Sequence, residues 1–396
     1  MNAMGPSAPP DRLPRTADAV IVGGGAIGVS AAYHLAAAGV GSVVLVERED
    51  ALGMGSTGRC AGGFRHQFSS RINVQLSLAS IPLITGFSAT HGLPLDVTQD
   101  GYLFLVRDPE AWTGYRAAAA MQRSLGVEVD VLTAAEAADL APGVATDGVI
   151  GATYCARDGI ADPSGLTLGY ATIARRAGAV IRTGVTATRI VTDDGRVTGV
   201  DTTEGHVATP LAIDAAGPWA GVLARSAGIE LPLEPVPRVV LISGPFRGAP
   251  TRRTLVVDTV SSFYFHREGD GVLMGMGDPA EQPGFETRVD ERFIAETLLP
   301  TAIGVLPALA EATIAHRWVG LYEMTPDRHP IIGGVPGLDG LLLANGFSGH
   351  GFQHAPIVGL LLAEIVTDGA ARTVDIAELG LDRFGSGRLI GESHVV

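Results

Sequence analysis

The stretch AVIVGGGAIGVSAAYHLAAAGVGSVVLVE, residues 19–47, constrains the fold of this chain more than any other. A short apolar strand leads directly into the spaced glycines Gly23, Gly25 and Gly28, and a helical pattern follows. In such a unit the first glycine makes the turn, the second lets a pyrophosphate approach, and the third packs helix on strand. A second strand ends at Glu47, 19 residues after the last glycine, where an acid can bind ribose hydroxyls. We therefore expect a dinucleotide site.

A second glycine-rich loop, GMGSTGRCAGGFRHQF (53–68), comes straight after the acid. A nicotinamide-binding domain normally enters another crossover helix at this point. This segment is instead small, polar and basic, as expected of a chain that runs along a long ligand. The loop therefore favours FAD over NAD, with an ordinary surface loop as the alternative.

Size and charge narrow the class of protein. The 396 residues allow two domains, and the net charge of −14, without a basic cluster larger than an arginine pair, argues against nucleic-acid binding. The longest apolar run, APIVGLLLAEIV, is twelve residues, shorter than the roughly 18 that a membrane span needs. The N-terminus lacks the apolar segment of a secretory signal, and Cys60 and Cys155 form no CxxC pair. We predict a cytoplasmic protein without a membrane span or a metal site.

The chain contains no lysine, so all 28 basic residues are arginine. A coding bias explains the absence, but the chemical consequence holds whatever the cause. A Schiff-base lysine, a P-loop lysine and a lysine general base are all excluded.

Parallel-type strand–helix units at both ends of the chain bracket an antiparallel middle, which includes a turn at Asp270-Gly271. A helical pattern from about Asp290 to Leu306 is expected to break or kink at Pro300. The predicted fold class is mixed α/β, with a Rossmann-type FAD-binding domain interleaved with an antiparallel-sheet substrate domain. The predicted segments are 18–85, 150–220 and 325–370 for the FAD-binding domain, 86–149 and 221–324 for the substrate domain, 1–17 for a disordered tail, and 371–396 for a C-terminal extension.

Six motifs in order carry a resemblance to a known family: the first glycine motif with its acid, then GSTGRCAGGFR, DGIADPSGL, IDAAGPWA, GLYEMTPDRHPIIGG and GFSGHGF. Together they resemble the D-amino-acid oxidase superfamily of FAD enzymes. Within it the chain is most similar to the branch of sarcosine oxidases and amino-acid dehydrogenases, including β-subunits of proline dehydrogenase complexes. The resemblance runs from about Asp18 to Phe384.

The resemblance implies that the late loop GFSGHGF closes over the flavin ring. Gly349, His350, Gly351 and Gln353 hold that place here, where backbone N–H groups and a helix N-terminus would stabilise negative charge near flavin N1 and C2. The alternative for His350 is a helix-start residue without a role.

Other cofactor contacts follow from the same resemblance. Glu47 and Arg48 would bind the adenosine end, and Val185 would contact adenine through its backbone. Loop residues 56–58 would line the phosphates and the ribityl chain. The complete predicted cofactor set is Gly23, Gly25, Ala26, Ile27, Gly28, Glu47, Arg48, Gly55, Ser56, Thr57, Gly58, Arg59, Ala61, Gly62, Val185, Ala216, Gly217, Trp219, Gly349, His350, Gly351, Phe352 and Gln353.

Two departures from the family concern how the flavin is held. The covalent cysteine of some members is replaced by Gly320, and the covalent histidine of others is replaced by Arg59. Neither linkage is available and a thioether to the neighbouring Cys60 is disfavoured, so we predict non-covalent FAD.

Substrate residues are also implied by position. Arg65 matches the family's carboxylate-binding arginine, and bidentate pairing would orient the substrate α-carbon; binding FAD or a surface acid is the alternative. Tyr264 and Tyr322 match aromatic residues that wall the substrate pocket, although core packing explains them equally well. With His350 these form the predicted catalytic set, and His66 and His266 are weaker candidates. Gln353 stands where sarcosine oxidases carry a lysine, which puts a small, sarcosine-like binding mode in doubt.

The prediction of the electron acceptor depends on a positive charge that is absent beside the flavin. Sarcosine oxidases place an oxygen-activating lysine near the position of Leu273, and no lysine elsewhere can replace it. We therefore expect a dehydrogenase, and the resemblance implies secondary or N-methyl amino acids, such as proline, hydroxyproline or sarcosine, as its substrates. Its electrons would pass to a quinone, an electron-transfer protein or a partner subunit. The alternatives are a D-amino-acid dehydrogenase, an oxygen-using amine oxidase, and a flavoprotein subunit or assembly factor with little catalysis. A plain NAD-binding protein leaves the late loop unexplained.

Overall fold

The structure is a computed structural model, and it describes residues 12–394. Most strands are short and buried. Within the described residues the strands β1 to β20, in chain order, are Ala19–Val22, Val43–Val46, Gly63–Phe64, Val97–Thr98, Tyr102–Val106, Asp130–Leu132, Gly151–Cys155, Gly159–Ala161, Val180–Arg182, Ala187–Asp193, Arg196–Thr202, Gly205–Ala208, Ala212–Asp214, Glu234–Ser243, Leu255–Asp258, Tyr264–Glu268, Gly271–Met276, Ile314–Met324, Ile331–Val335 and Leu338–Asn345.

The helix after Gly25 was expected to end near Ala38, and it ends at Ala37. The 15-residue helix Arg71–Thr85 is not predicted from the sequence. The α-helices α1 to α11 in the same range are Ala26–Ala37, Arg71–Thr85, Phe87–His91, Pro109–Ser124, Ala134–Leu140, Pro163–Arg176, Ala220–Arg225, Glu291–Phe293, Leu299–Val305, Gly351–Asp368 and Asp382–Ser386.

The first layer of the fold is a nine-stranded sheet with a parallel centre. Its central order is β20-β13-β1-β2-β9, and β1 pairs with both β2 and β13. The strands β10 to β12 extend one edge as an antiparallel ribbon. Helices α1, α6 and α10 pack together over the sheet and share its largest apolar core. This parallel sheet with its layer of helices confirms the predicted Rossmann-type domain.

The second layer is an eight-stranded sheet of order β18-β14-β17-β16-β15-β5-β7-β6. All its pairs are antiparallel except β15 with β5. The two-residue turn between β16 and β17 is Gly269-Asp270, one residue before the predicted Asp270-Gly271, because Gly271 already pairs with Glu268. One boundary differs from the sequence prediction. Strand β7 begins at residue 151, inside the segment predicted for the FAD-binding domain, yet it pairs with β5 and β6 in this sheet. A strand of five buried residues has no local feature that selects one sheet over the other.

The helical pattern near Pro300 is interrupted, as expected. The α-helical turn Glu291–Phe293 passes into the π-helical segment Ile294–Leu298, and α9 then carries Pro300 in its first turn. The ring nitrogen of Pro300 has no N–H and cannot donate a helical hydrogen bond. The π segment before it changes the hydrogen-bonding pattern, so that this bond is not required.

The chain ends also carry structure. Residues 1–11 of the predicted tail lie outside the described range, but Arg15 and Ala17 run beside β12. The carbonyl of Arg15 accepts the Ala208 amide at 2.9 Å, and the Ala17 amide donates to Ala208 at 3.0 Å. These last residues of the predicted disordered tail therefore pair with a strand edge. Across residues 12–394, none of the helices combines the length and the apolar character required to cross a bilayer.

Helices α1 and α10 cross at very short range. The Ser30 hydroxyl donates to the Pro356 carbonyl at 3.3 Å, and a methyl group at Gly359 would lie 2.5 Å from the Ser30 carbonyl carbon. Both helices are buried at this crossing, so neither has room to move away. The absence of a side chain at Gly359 thus sets the distance between the two helices.

We expect Gly359→Ala to lower the free energy of unfolding by about 1–3 kcal/mol, because the added methyl overpacks a buried crossing. The matched control is Gly304→Ala, since Gly304 lies in α9 with open space around it. That substitution should leave stability unchanged or raise it by about 0.5–1 kcal/mol through helix propensity. Urea unfolding of both variants checks the difference, and equal stabilities would contradict the tight crossing.

Candidate functional site

Two glycine-rich loops meet at the N-terminus of α1. Gly23 has a φ of +111°, and a methyl group there would collide with the Ala215 carbonyl. The amide of Ala26, in the first turn of α1, donates to the Thr57 hydroxyl of the second loop at 3.1 Å. The helix start, with its unpaired amides and positive dipole end, therefore faces the space between the loops.

The acid after β2 is held by backbone amides. Glu47 accepts from the Gly24 amide at 2.5 Å and from the Glu49 amide at 2.9 Å. This fixed carboxylate lines the cavity, where its remaining lone pairs can accept from hydroxyl groups. The Val185 amide already donates to the Glu47 carbonyl at 2.8 Å, so a contact from Val185 to adenine would use other backbone atoms.

An aromatic and cationic stack closes the same end of the cavity. The Arg48 guanidinium lies 3.6 Å from the centroid of the Trp219 ring, and the Phe285 ring stacks on Trp219 at 5.6 Å. Trp219 and Arg48 both line the cavity.

The second loop is fastened to β18. The Ser56 hydroxyl donates to the Leu321 carbonyl at 2.6 Å, and the Arg59 side chain donates to the Val319 carbonyl at 3.0 Å. Gly320 lies directly against Arg59, so the two positions where covalent links occur in the resembling family meet here without a linking side chain. Burial raises the pKa of the nearby Cys60 to about 11, which leaves a neutral thiol.

The late loop ends at the N-terminus of α10. Gly349 has a φ of +94°, and a methyl group there would lie 2.5 Å from the Tyr322 ring, so only glycine fits. The first amides of α10, from Gly351 onward, have no preceding helical carbonyl to bond and lie at the cavity. The α10 start is the second of two helix N-termini in the same space.

His350 lies inside the protein wall. Its Nε2 is 3.2 Å from the Arg65 guanidinium, and its ring contacts Phe68 edge to face at 4.8 Å. Burial, with the neighbouring Arg65 charge, holds the pKa of His350 well below its usual value. The imidazole is therefore neutral and accepts a hydrogen bond from Arg65.

Arg65 is committed to partners within the protein. Its guanidinium donates to the carbonyls of Gln67 and His394 and stacks on the Phe68 ring at 3.9 Å. The predicted bidentate pairing with a substrate carboxylate would compete with these carbonyls, although Arg65 does line the cavity. Gln353 is engaged as well, because its side chain bonds the Arg65 backbone amide at 3.0 Å and carbonyl at 3.2 Å.

Three tyrosines wall the part of the cavity that faces the eight-stranded sheet. Tyr264 lies across Gly275, Tyr322 lies against Gly349, and Tyr102 reaches Gly63. Burial raises the pKa of all three phenols, so each hydroxyl stays protonated and can donate. We call this space, bounded by Tyr102, Tyr264 and Tyr322, the tyrosine chamber.

The predicted site residues thus converge on one continuous cavity. Every one of them lines it except Gly28 and Gly58, which shape the loops from behind. A methyl at Gly28 would strike the Gly23 carbonyl, and the Gly58 amide donates to the Gly53 carbonyl at 2.8 Å. The weaker candidates lie behind the wall. His66 pairs with the buried Asp158 at 2.7 Å, and His266 bonds the Ala61 carbonyl at 3.1 Å.

The described residues offer one group with metal-ligand potential, which the sequence prediction does not include. The potential ligand atoms of His66, Cys155 and Asp158 lie within 4.8 Å of one another, and all three residues are buried. Asp158 already accepts from the His66 amide at 2.8 Å and from the Gln67 side chain at 3.0 Å. These bonds hold the chain on either side of Arg65.

Sequence reasoning also overlooks Tyr102 and Arg238, which both line the chamber. A lone arginine within the apolar strand VPRVVLIS is the signal that could have revealed Arg238.

Two buried acids beside the cavity were not expected either. Oδ2 of Asp214 and Oε2 of Glu323 have no hydrogen-bond partner among residues 12–394. Burial raises the pKa of each carboxyl to about 7, although backbone amides and, at Asp214, Asn345 partly oppose this. Both acids are therefore protonated below neutral pH.

These raised pKa values predict that the two carboxyls contribute stability that is lost as pH rises from about 4 to 7. At these two groups the folded state binds more protons than the unfolded chain across this window, so their contribution falls as pH passes through the folded pKa values. We expect the stability of the wild type relative to the double variant Asp214→Asn with Glu323→Gln to fall as pH rises from 4 to 8 in thermal unfolding. The exposed substitution Asp139→Asn is the control. A double variant with the unchanged pH slope would refute the assignment.

A C-terminal strap, defined as residues 391–394, reaches the back of the site. The Glu392 carboxylate accepts from the Ser69 amide at 2.8 Å, from the Ser70 amide at 3.1 Å and from the Asn73 side chain at 3.2 Å. The His394 ring stacks on Tyr115 at 3.8 Å, and its carbonyl holds Arg65. Although burial opposes it, hydrogen bonds from Ser69 and the Arg65 charge lower the pKa of Glu392. The segment predicted only as an extension therefore supports the site.

Glu392→Ala should lower the free energy of unfolding by at least about 2 kcal/mol, because several charge-assisted bonds to buried donors are lost. Glu378→Ala, an exposed acid in the same terminal region, is expected to change little. Thermal unfolding of the two variants makes the comparison. If they unfold together, the strap does not fasten the site.

The comparison with protein families agrees with this geometry. The chain belongs to the family described as FAD dependent oxidoreductase, DAO, whose match covers residues 18–365. FAD is the cofactor of this family, as predicted, and the cavity fits it. The cavity offers two helix N-termini, loops in which added methyl groups would clash, and a fixed acid at the end of β2.

Individual relatives narrow the comparison further. FAD-dependent oxidoreductase domain-containing protein 1 of Xenopus laevis is 32% identical over 436 residues, which cover 98% of this chain and 86% of that protein. The mitochondrial sarcosine dehydrogenase of Homo sapiens is 31% identical over 383 residues, 93% of this chain. This chain spans only 41% of the length of that enzyme.

A solved structure matches along almost the whole chain. The L-proline dehydrogenase from P. horikoshii superposes with a TM-score of 0.88 at 30% identity, and the match covers 95% of this chain and 99% of that one. The glycine oxidase from Geobacillus kaustophilus has a TM-score of 0.83 at 27% identity, covering 93% and 99%.

Proposed function

We propose that this protein oxidises the C–N bond of an amino acid, with FAD held non-covalently in the cavity. The observation that carries the proposal is the continuity of the cavity, which joins the glycine loops, the α10 N-terminus and the tyrosine chamber. Secondary or N-methyl amino acids, such as proline, hydroxyproline and sarcosine, are the proposed substrates. The names of the relatives that act on sarcosine and L-proline support this choice.

The chain's own residues would prepare the reaction in two ways, beside the chemistry that the cofactor supplies. Bound FAD would accept a hydride from the carbon beside the substrate nitrogen. The amides at the start of α10 supply fixed dipoles for developing negative charge, at no cost of reorganisation. The three neutral tyrosines line the chamber, and their hydroxyls can orient a polar substrate.

For the electron acceptor we propose a quinone, an electron-transfer protein or a partner subunit. The sequence contains no lysine, and Leu273 lies buried on β17 with Ile242 and His266 as its strand partners. No side chain at this position brings the positive charge that would favour electron transfer to oxygen. The cytoplasmic location predicted from the sequence stays a prediction, while the sarcosine dehydrogenase relatives are mitochondrial proteins.

An oxygen-using amine oxidase is the second candidate function. The observation that favours it is the similarity to a glycine oxidase at 27% identity over nearly the whole chain. The two candidates differ in how the protein responds to air.

We expect L-proline, trans-4-hydroxyproline or sarcosine to bleach the flavin absorption band when mixed anaerobically with the purified protein. Stopped-flow absorbance records the bleaching, and a D-amino-acid panel serves as the comparison. After air is admitted the band should return slowly, because no lysine assists oxygen. Rapid recovery would support the oxidase, and bleaching by D-amino acids alone would transfer the assignment to a D-amino-acid dehydrogenase. A flavin that no amino acid bleaches would contradict the proposed function.

A further inference from the structure

Arg238 lies on the chamber-facing side of strand β14. Its side chain and that of Val240 line the cavity, while the alternate residues Val239 and Leu241 pack into the apolar core of the eight-stranded sheet. Its guanidinium carbon lies 5.2 Å from the centroid of the Tyr322 ring. An arginine is thereby presented to the tyrosine chamber.

The guanidinium of Arg238 has donors to spare. Its Nη1 donates to the Pro237 carbonyl at 2.9 Å, but its Nε is buried without a hydrogen-bond partner among residues 12–394. Within that range Arg238 also makes no ion pair with an acid inside 4 Å. The buried Nε has no surface open to the chamber, but Nη2 also has no hydrogen-bond partner among the same residues and can donate to an anionic acceptor in the chamber.

Arg65 differs from Arg238 in how its terminal nitrogens are engaged. It is 4% exposed, and its two terminal nitrogens reach the Gln67 and His394 carbonyls and His350. The acceptors that hold it belong to the loop after β3 and to the C-terminal strap. A substrate carboxylate would have to displace these acceptors at Arg65, but it would displace none at Nη2 of Arg238, which has no hydrogen-bond partner among residues 12–394.

We propose that Arg238, rather than Arg65, binds the carboxylate of the substrate in the tyrosine chamber. The proposal rests on the proposed function and names the residue that selects amino acids over simple amines. A carboxylate bound to Arg238 would lie in the tyrosine chamber near the Tyr322 ring. The hydroxyls of Tyr264 and Tyr322 could donate further, neutral hydrogen bonds to it. Arg65 then acts as a positioning residue that fixes the late loop through His350.

The test uses the FAD-loaded protein with Arg238→Met, Arg238→Lys and the control Arg317→Met. Arg317 is exposed on the neighbouring strand β18, where it pairs with Glu291. Flavin content and thermal unfolding establish that each variant is loaded and folded. Two carboxylate probes, pyrrole-2-carboxylate and acetate, are titrated while the flavin absorption shift is followed, which requires no turnover.

For Arg238→Met we expect about 10- to 100-fold weaker binding of both probes, the loss that one charge-assisted contact accounts for. Arg238→Lys should fall between wild type and Arg238→Met, and Arg317→Met should match wild type. In anaerobic reduction, the proline concentration for half-maximal rate should rise by the same factor in Arg238→Met. The response to pyrrolidine, which lacks the carboxylate, should be unchanged.

Two results would overturn the assignment. Wild-type probe affinity in a loaded Arg238→Met protein would show that the carboxylate binds elsewhere. Equal losses towards proline and pyrrolidine would show that Arg238 only supports the chamber wall. If no amino acid reduces the flavin of the wild-type protein but that protein still binds the probes through Arg238, the proposed function fails while the carboxylate site stands.

Discussion

Helices α1 and α10 begin at the two loops that bound the cavity, and they cross where Ser30 meets Gly359. These residues are more than 300 positions apart in the chain, so the crossing joins the first segment of the fold to one of its last. Each helix start offers unpaired amides, and their separation depends on how closely the two helices pack. The cofactor cavity is therefore a consequence of one buried contact that only glycine permits.

The remaining walls are supplied by the antiparallel sheet. Strand β18 fastens the second glycine loop through the Leu321 and Val319 carbonyls and places Tyr322 against the late loop. Strand β14 brings Arg238 beside that tyrosine. The cofactor half and the chamber half thus share β18, which explains how a dinucleotide domain and a substrate sheet form one continuous space.

Arg65 and Arg238 have the same side chain but different hydrogen-bond partners, and this gives them different roles. Arg65 and Arg238 both line the cavity, but the backbone carbonyls around Arg65 already satisfy its terminal donors. The strap that holds Arg65 is itself held by Glu392, whose carboxylate caps the chain before α2. A guanidinium enclosed in this way supports its surroundings, whereas Arg238 keeps a donor for a ligand.

Local signals in the sequence determined the dinucleotide unit, the late loop and the strand-turn pattern of the middle segment. Steric demands on glycine and apolar periodicity act within a few residues, so they can be recognised without the fold. The tertiary structure alone decided that β7 joins the second sheet, that Arg65 is occupied and that Arg238 is available. It also brought Glu392 and His394 to the back of the site. These outcomes depend on which distant backbone groups each side chain contacts. Hydrogen bonds between residues hundreds of positions apart leave no pattern in the local sequence, so they cannot be predicted from it.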